Sequence, residues 1–345
     1  MGTAMRSLVF LLTLGGLALA QGGLGTVKTY LLGRAALQCT YTFQVKQAAQ
    51  RYYDLTKAAG FNYKKLAATQ ANAVRSALKG TRTPWYVASN AYESMEGIVA
   101  GVDMLSDFDK NLDAGTSKAE GGDTVVDFNL TLPNGKVLEK PGNLYTVTEG
   151  VLFGSEKSYT SGVAFDVDGD GKIGYGDVLP DANILKAAAD LLDEYARKLL
   201  ETARTWQPTP QDVFKALVVN VPTAGPVFLD RWRSSRFVLG DKATREDFNA
   251  ISSLQDLVSN IESWRQLYGG VHVLVKAKSA SLDAQIQSNL LSLEAWGKKL
   301  LAQEKNRRFT PEQAELIRKE GDNRATAITG QITQAAALLD IQVGN

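Results

Sequence analysis

The 345-residue sequence predicts a mainly α fold, two helical bundles with a small β-hairpin inserted between them. Three observations lead there. Long proline-poor runs carry apolar residues at three-and-four spacing. Short glycine or proline breaks separate these runs. One stretch, residues 124–139, turns instead to near-alternation around an Asn-Gly pair. The expected organisation is a leader over residues 1–20, an N-terminal bundle over 21–120, a hairpin and acidic loop over 121–180, and a C-terminal bundle over 181–345.

The composition suits this reading. At 44% hydrophobic and 22% charged residues the chain can bury a sizeable core. Lys and Arg number 38 against 37 Asp and Glu, a net charge of +1, without the basic excess of a nucleic-acid binder. One Cys excludes an intramolecular disulfide, and one His excludes a two-His zinc site within the chain.

The first segment reads as an address. Arg6 precedes the apolar run Leu8–Leu14, and Ala18-Leu19-Ala20 is a small-x-small cleavage site, so a cleaved export signal is expected, with Met5 as an alternative start. The run is too short for a comfortable membrane span, and no later segment reaches 18 uninterrupted apolar residues. The mature protein is therefore expected in the periplasm or cell envelope, with no transmembrane segment.

Residues 27–59 lack Pro and end at Gly60, a helix followed by a glycine C-cap. A second helix is expected from Asn62 to about Leu78, stopped by Gly80. A third is expected to start at Thr83-Pro84, with Trp85, Ala88, Tyr92, Met95 and Val99 on its buried face. Val125, Val126, Phe128, Leu130 and Leu132 then approach strand alternation, and Pro133-Asn134-Gly135-Lys136 closes the hairpin. Helices return after residue 180. One stripe runs from Ile184 to Leu200. A second runs from Phe248 to Trp264 and is stopped by Gly269-Gly270. A last helix opens on the capping box Thr310-Pro311-Glu312-Gln313 and continues to about Leu339.

The sharpest motif lies at residues 166–177. Asp166, Asp168, Asp170 and Asp177 fall at positions one, three, five and twelve, with Gly171 at six. Calcium takes six to eight oxygens at about 2.3–2.6 Å, so alternate side chains must converge around a tight turn. Gly171 permits that turn, the carbonyl of Lys172 offers a further oxygen, and Ile173 is expected to pin the loop to packed structure. The terminal Asp177 resembles the dockerin variant of the EF-hand loop more than the usual Glu. Dockerins carry two such loops and this chain has one, and Pro180 interrupts the helix that should follow. The expected role is a structural calcium site.

A second acidic cluster sits at Glu93 and Glu96, one helical turn apart and close to the apolar stripe. Two like charges near a core need a cation or an Arg or Lys from a neighbouring helix. Asp103, Asp107, Asp109 and Asp113 continue the acidity. The segment Tyr92–Gly115 resembles the imelysin-like proteins, relatives of the EfeO component of bacterial iron uptake. Fainter likeness appears at Ser235-Arg236-Phe237, around Ile261-Glu262-Ser263-Trp264 and at Gly330-Gln331-Ile332. The resemblance implies an exported protein of two helical bundles with a metal site at a His-x-x-Glu motif. Its Glu falls on Glu96 and its His on Glu93, so this chain departs from the pattern at a ligand.

Carboxylates without imidazole favour hard ions such as Ca²⁺, Mg²⁺, Mn²⁺ or Fe³⁺ over Zn²⁺. The reading that follows is an exported metal-binding protein serving iron acquisition or handling, with calcium at the loop and iron or another hard ion at Glu93 and Glu96. Its expected partners are metal ions and an envelope iron transporter. Two alternatives stay open: an exported metallopeptidase, and a calcium-stabilised envelope scaffold or adhesion module. His272, after Gly269-Gly270-Val271, reads as a polar residue at a helix end, and Cys39 as a small buried residue.

Overall fold

The computed structural model describes residues 2–243 and 249–343, with side chains from residue 22 onward. The side chains of the expected leader, and Phe248 at the head of the second stripe, lie outside the described residues. The fold is mainly α. Its helices are α1 (Gly2–Ala58), α2 (Tyr63–Val99), α3 (Ser106–Asp109), α4 (Leu144–Phe153), α5 (Ala182–Thr205), α6 (Pro210–Asn220), α7 (Asp230–Ser234), α8 (Arg236–Leu239), α9 (Ser253–Lys278), α10 (Ala280–Glu304) and α11 (Pro311–Leu338).

Helix α1 packs along α2, α5 and α9, and α9 also lies against α2, α6 and α10. Their facing side chains form a continuous apolar core that includes Leu31, Tyr52, Trp85, Met95, Leu192, Leu257 and Trp264. Helix α11 closes the other end against α6, α10 and the turns at Val221–Leu229. By length and composition the stretch Pro210–Ser234 could cross a membrane. It is broken by a 3₁₀ turn at Val221–Ala224 and a π turn at Gly225–Leu229, and it packs against α9 and α11.

The helix ends follow local chemistry. Helix α1 stops before Gly60, which takes the left-handed φ of +67° expected of a glycine C-cap. The Asp181 carboxylate caps α5 by accepting from the N–H groups of Asn183 and Ile184. Helix α11 opens with the expected capping box, the Thr310 hydroxyl and the Gln313 amide exchanging backbone bonds.

Two expected breaks do not occur. Helix α2 runs through Gly80 and Pro84. Gly80 rests beside Ala48 and Arg51 of α1, and Pro84 and Trp85 are buried, so packing along α1 carries the helix past the missing proline N–H. Helix α9 likewise runs through Gly269-Gly270, because Gly270 is where α1 crosses. A methyl group at Gly23 would press on the Gly270 carbonyl, so the two glycines let the backbones touch. His272 therefore lies within α9, not at its end.

The expected hairpin is present but short. Strands β1 (Asn129–Thr131) and β2 (Val137–Glu139) pair antiparallel with Leu130 opposite Leu138. Gly135 has φ +84° in the turn. A second antiparallel pair, β3 (Thr160–Ala164) and β4 (Val178–Pro180), was not expected from the sequence. Pro180 ends β4, and the next helix begins after it.

A close helix crossing joins α2 to α9 at Gly97. A Cβ there would overlap the Ser263 hydroxyl and the Trp264 indole. Replacing Gly97 with Ala should force the helices apart and cost about 1–3 kcal/mol, as overpacking does. Urea denaturation of the two proteins would read the loss as a lower midpoint at unchanged slope.

Candidate metal centre

Beside that crossing, α2 delivers Glu93 and Glu96. Glu93 is buried and Glu96 half-buried. After α2 the chain turns through α3 into a π turn at Lys110–Ala114, and this turn carries Asp113 into the same place. Carboxylate oxygens of Glu93, Glu96 and Asp113 come within 4.8 Å of one another. The expected pair is thus a trio.

Helix α9 supplies the opposite wall. Asn260 donates from Nδ2 to Glu93 Oε2 at 3.0 Å and to Glu96 Oε2 at 2.5 Å. One turn earlier on the same helix sits buried Asp256. Asp109 joins from α3 and accepts a 2.7 Å bond from the Tyr92 hydroxyl. The cation facing them is Arg231 on α7, half-buried, whose charge is felt by Asp109, Asp113 and Asp256.

The electrostatics follow from this crowding. Burial first, then the carboxylates of Asp256, Glu96 and Asp113, hold Glu93 well above the ordinary carboxylate range. Burial and Glu96 also drive Asp109 well up. Burial and Glu96 push Asp113 up to about 7, against the pull of Arg231. Asp256 is raised by burial, again against Arg231. Burial opposes the charge of Arg231, but Asp113, Asp256, Glu93 and Glu96 outweigh it and raise its pKa. Among the described residues Arg231 is the guanidinium that faces this group, and burial and mutual repulsion favour the protonated forms of Glu93, Asp109, Asp113 and Asp256.

A cleft of about 420 Å³ meets this cluster at Asp113 and Arg231 and is also lined by Asn143, Thr146, Glu156 and Tyr159. The cluster therefore borders a space that solvent can reach.

The acidic loop at 166–177 lies elsewhere, between β3 and β4. Strands and not helices flank it. Asp166, Asp168 and Asp177 bring oxygens within 4.8 Å of one another. Asp170 stands outside that group and accepts from the Lys172 N–H at 2.8 Å. The Asp166 carboxylate accepts from the N–H groups of Gly169, Asp170 and Gly171, and Asp177 from those of Val167 and Gly174. Gly171 has φ +83°, as its position requires. Ile173 is 62% exposed and pins nothing. The anchors are instead Arg75, bonded to the Asp166 carbonyl at 2.8 Å, and Arg82, bonded to the Leu152 and Gly176 carbonyls. Both arginines come from α2.

The model of the imelysin family (Peptidase_M75) matches residues 44–339, most of the chain. The chain belongs to the imelysin family. No curated protein matches this imelysin. Both acidic groups fall inside the matched span. In this imelysin the family resemblance at Tyr92–Gly115 corresponds to a real cluster in space, since α2 and the π turn bring Glu93, Glu96 and Asp113 together. His272 is remote in chemistry as well as in sequence, its Nδ1 lying 3.7 Å from Asp283 Oδ1. Cys39 is half-buried beside Phe43, Asp193 and Arg197, and burial raises its thiol to about 11.

Sequence reasoning missed Asp256, Asn260 and Arg231. The first two had a signal, polar residues four apart on the face of α9 that also carries buried Leu257, Ile261 and Trp264. Arg231 had none, because a π turn and a five-residue helix place it.

The raised Asp113 gives a stability test. A carboxyl whose folded pKa lies above its unfolded value contributes stability that is fully present below about pH 4 and lost as pH rises through about 7. Metal-stripped protein should therefore lose stability between pH 5 and 8. Asp113→Asn should flatten that decline, which thermal melts across this range would show.

Proposed function

We propose that this chain is an exported metal-binding imelysin that holds a hard cation on Glu93, Glu96 and Asp113 and serves iron acquisition or handling at the cell envelope. The observation that carries the reading is the convergence of these three carboxylates, two of them buried and one half-buried. The donor set fits such an ion. It is all oxygen and acidic, and burial favours protons on Glu93 and Asp113 that a cation would displace. Glu93, Glu96 and Asp113 would bind the ion directly. Asp109 and Asp256 lie behind them. Asn260, whose amide now donates to both glutamates, could present its Oδ1 to a cation by turning the amide over. The bound ion would supply concentrated positive charge to the cleft bordered by Asp113 and Arg231.

Metal content of protein purified without chelators tests this. The unaltered protein should carry iron or another hard metal near one per chain, and Glu93→Gln/Glu96→Gln should lose it while Asp166→Asn keeps it. Affinity measured by calorimetry should rise from pH 5.5 to 8, as the protons held by groups such as Asp113 leave. Retention of metal by the double variant would remove the reading.

The family's name also carries a peptidase reading. An oxygen-only set favours hard ions over zinc, and zinc hydrolases depend on an open coordination position beside a general base. Metal-dependent cleavage of a peptide library, lost in Glu96→Gln, would establish the peptidase over simple metal carriage.

The loop at 166–177 supports a separate calcium reading, since Asp166, Asp168 and Asp177 converge around Gly171. Saturating calcium should raise the melting temperature, and Asp166→Asn should abolish the rise. At a concentration of 100 times Kd the stabilisation would be about 2.7 kcal/mol. An unchanged melting temperature would leave the loop as an Asp-rich turn held by backbone amides.

A further inference from the structure

A second cleft, of about 360 Å³, lies between the turn at Gly154–Lys157 and the segment that follows α8. Lys157, Arg236 and Arg308 line it, against the carboxylate of Asp241 among the described lining residues. Neither Lys157 nor Arg308 has an ion pair or a side-chain hydrogen bond to another of the described residues. Like charges around one hollow repel, so the cleft has an electrostatic deficit opposite in sign to that of the acidic cluster.

Arg236 is the built part of this cleft. Its Nε donates to the Asn249 carbonyl at 2.7 Å. Its guanidinium carbon lies 4.1 Å from the centre of the Tyr175 ring and 4.7 Å from that of Phe237. Tyr175 is in turn backed by Phe153, stacked at 6.1 Å. The guanidinium is therefore held in one orientation, while its two terminal nitrogens have no acceptor among the described residues. Of the nearby carboxylates, Glu304 feels the Arg236 charge without a hydrogen bond to it. Glu304 accepts from Trp232 Nε1 at 2.6 Å, and Glu149 from the Asn249 and Ala250 N–H groups. Arg308 is placed too. Gly240, at φ +60° and ψ −130°, leaves room that a Cβ would take from the Arg308 guanidinium.

We infer that this cleft binds the oxyanion group of a small ligand, a phosphate or a carboxylate, with Arg236 as a bidentate fork and Lys157 and Arg308 closing around the charge. A planar, pre-oriented guanidinium with free terminal N–H groups matches the geometry of such groups, and the two flanking cations add attraction without fixed partners to surrender. The inference does not depend on the metal reading.

Calorimetric titration of metal-stripped, full-length protein with inorganic phosphate and, separately, with succinate tests it. Saturable binding of at least one anion at low salt is expected, weakening as NaCl is raised. Binding of phosphate alone would assign a phosphate group, and binding of succinate alone a carboxylate. Lys157→Gln/Arg308→Gln should weaken it about tenfold or more, the scale of losing one charge-assisted contact. These exposed side chains have no other partner among the described residues, so the fold should hold, which circular dichroism would verify. Arg236→Lys, which keeps the charge and loses the fork, should weaken binding similarly. Absence of saturable binding with both anions, or unchanged affinity in the double variant, would overturn the inference. The variants leave Glu93, Glu96 and Asp113 intact, so their outcome is separate from that of the metal experiments.

Discussion

Negative charge buried at a helix crossing is the constraint on which the rest of this molecule depends. Glu93 and Glu96 sit where α2 meets α9, and Asp113, Asp109 and Asp256 crowd against them. A carboxylate removed from water must be paired, protonated or bound to a cation. The surroundings look arranged to make that bearable: Asn260 bridges the two glutamates, Tyr92 donates to Asp109, and Arg231 spreads its charge over several acids. A core built only for stability would fill this place with apolar side chains, as it does close by at Met95 and Trp264.

Helix α2 links this centre to the rest of the fold. Gly97 brings α9 close enough for Asn260 to reach both glutamates. Further back on the same helix, Arg75 and Arg82 hold the backbone of the 166–177 loop. That loop in turn supplies Tyr175, which supports Arg236 in the cationic cleft. Three places of distinct chemistry are thus tied to one helix and one loop, two acidic and one basic. The near-zero net charge of the chain conceals this separation of charge in space.

The helices were legible because their apolar spacing is a property of the chain itself. The capping box at Thr310 and the C-cap at Gly60 were legible for the same reason. The breaks read at Gly80, Pro84 and Gly269-Gly270 were misread, because a local stop signal yields where a neighbouring helix packs closely enough to sustain the run. The second strand pair was hidden in a segment whose spacing spoke for a loop. At the acidic cluster, Glu93 and Glu96 stood out through their spacing and family likeness. Asp113 was noticed only as further acidity. Asp256 and Arg231 are brought in by tertiary packing across more than a hundred residues, which no local pattern encodes.

The crossing of α1 and α9 at Gly23 and Gly270 bears on how the long first helix is seated. Among the described side chains, Gly23 and Leu24 are where α1 first meets the body of the protein. A side chain at either glycine would push the backbones apart there, so these two positions set how closely the start of the described α1 face can lie against α9.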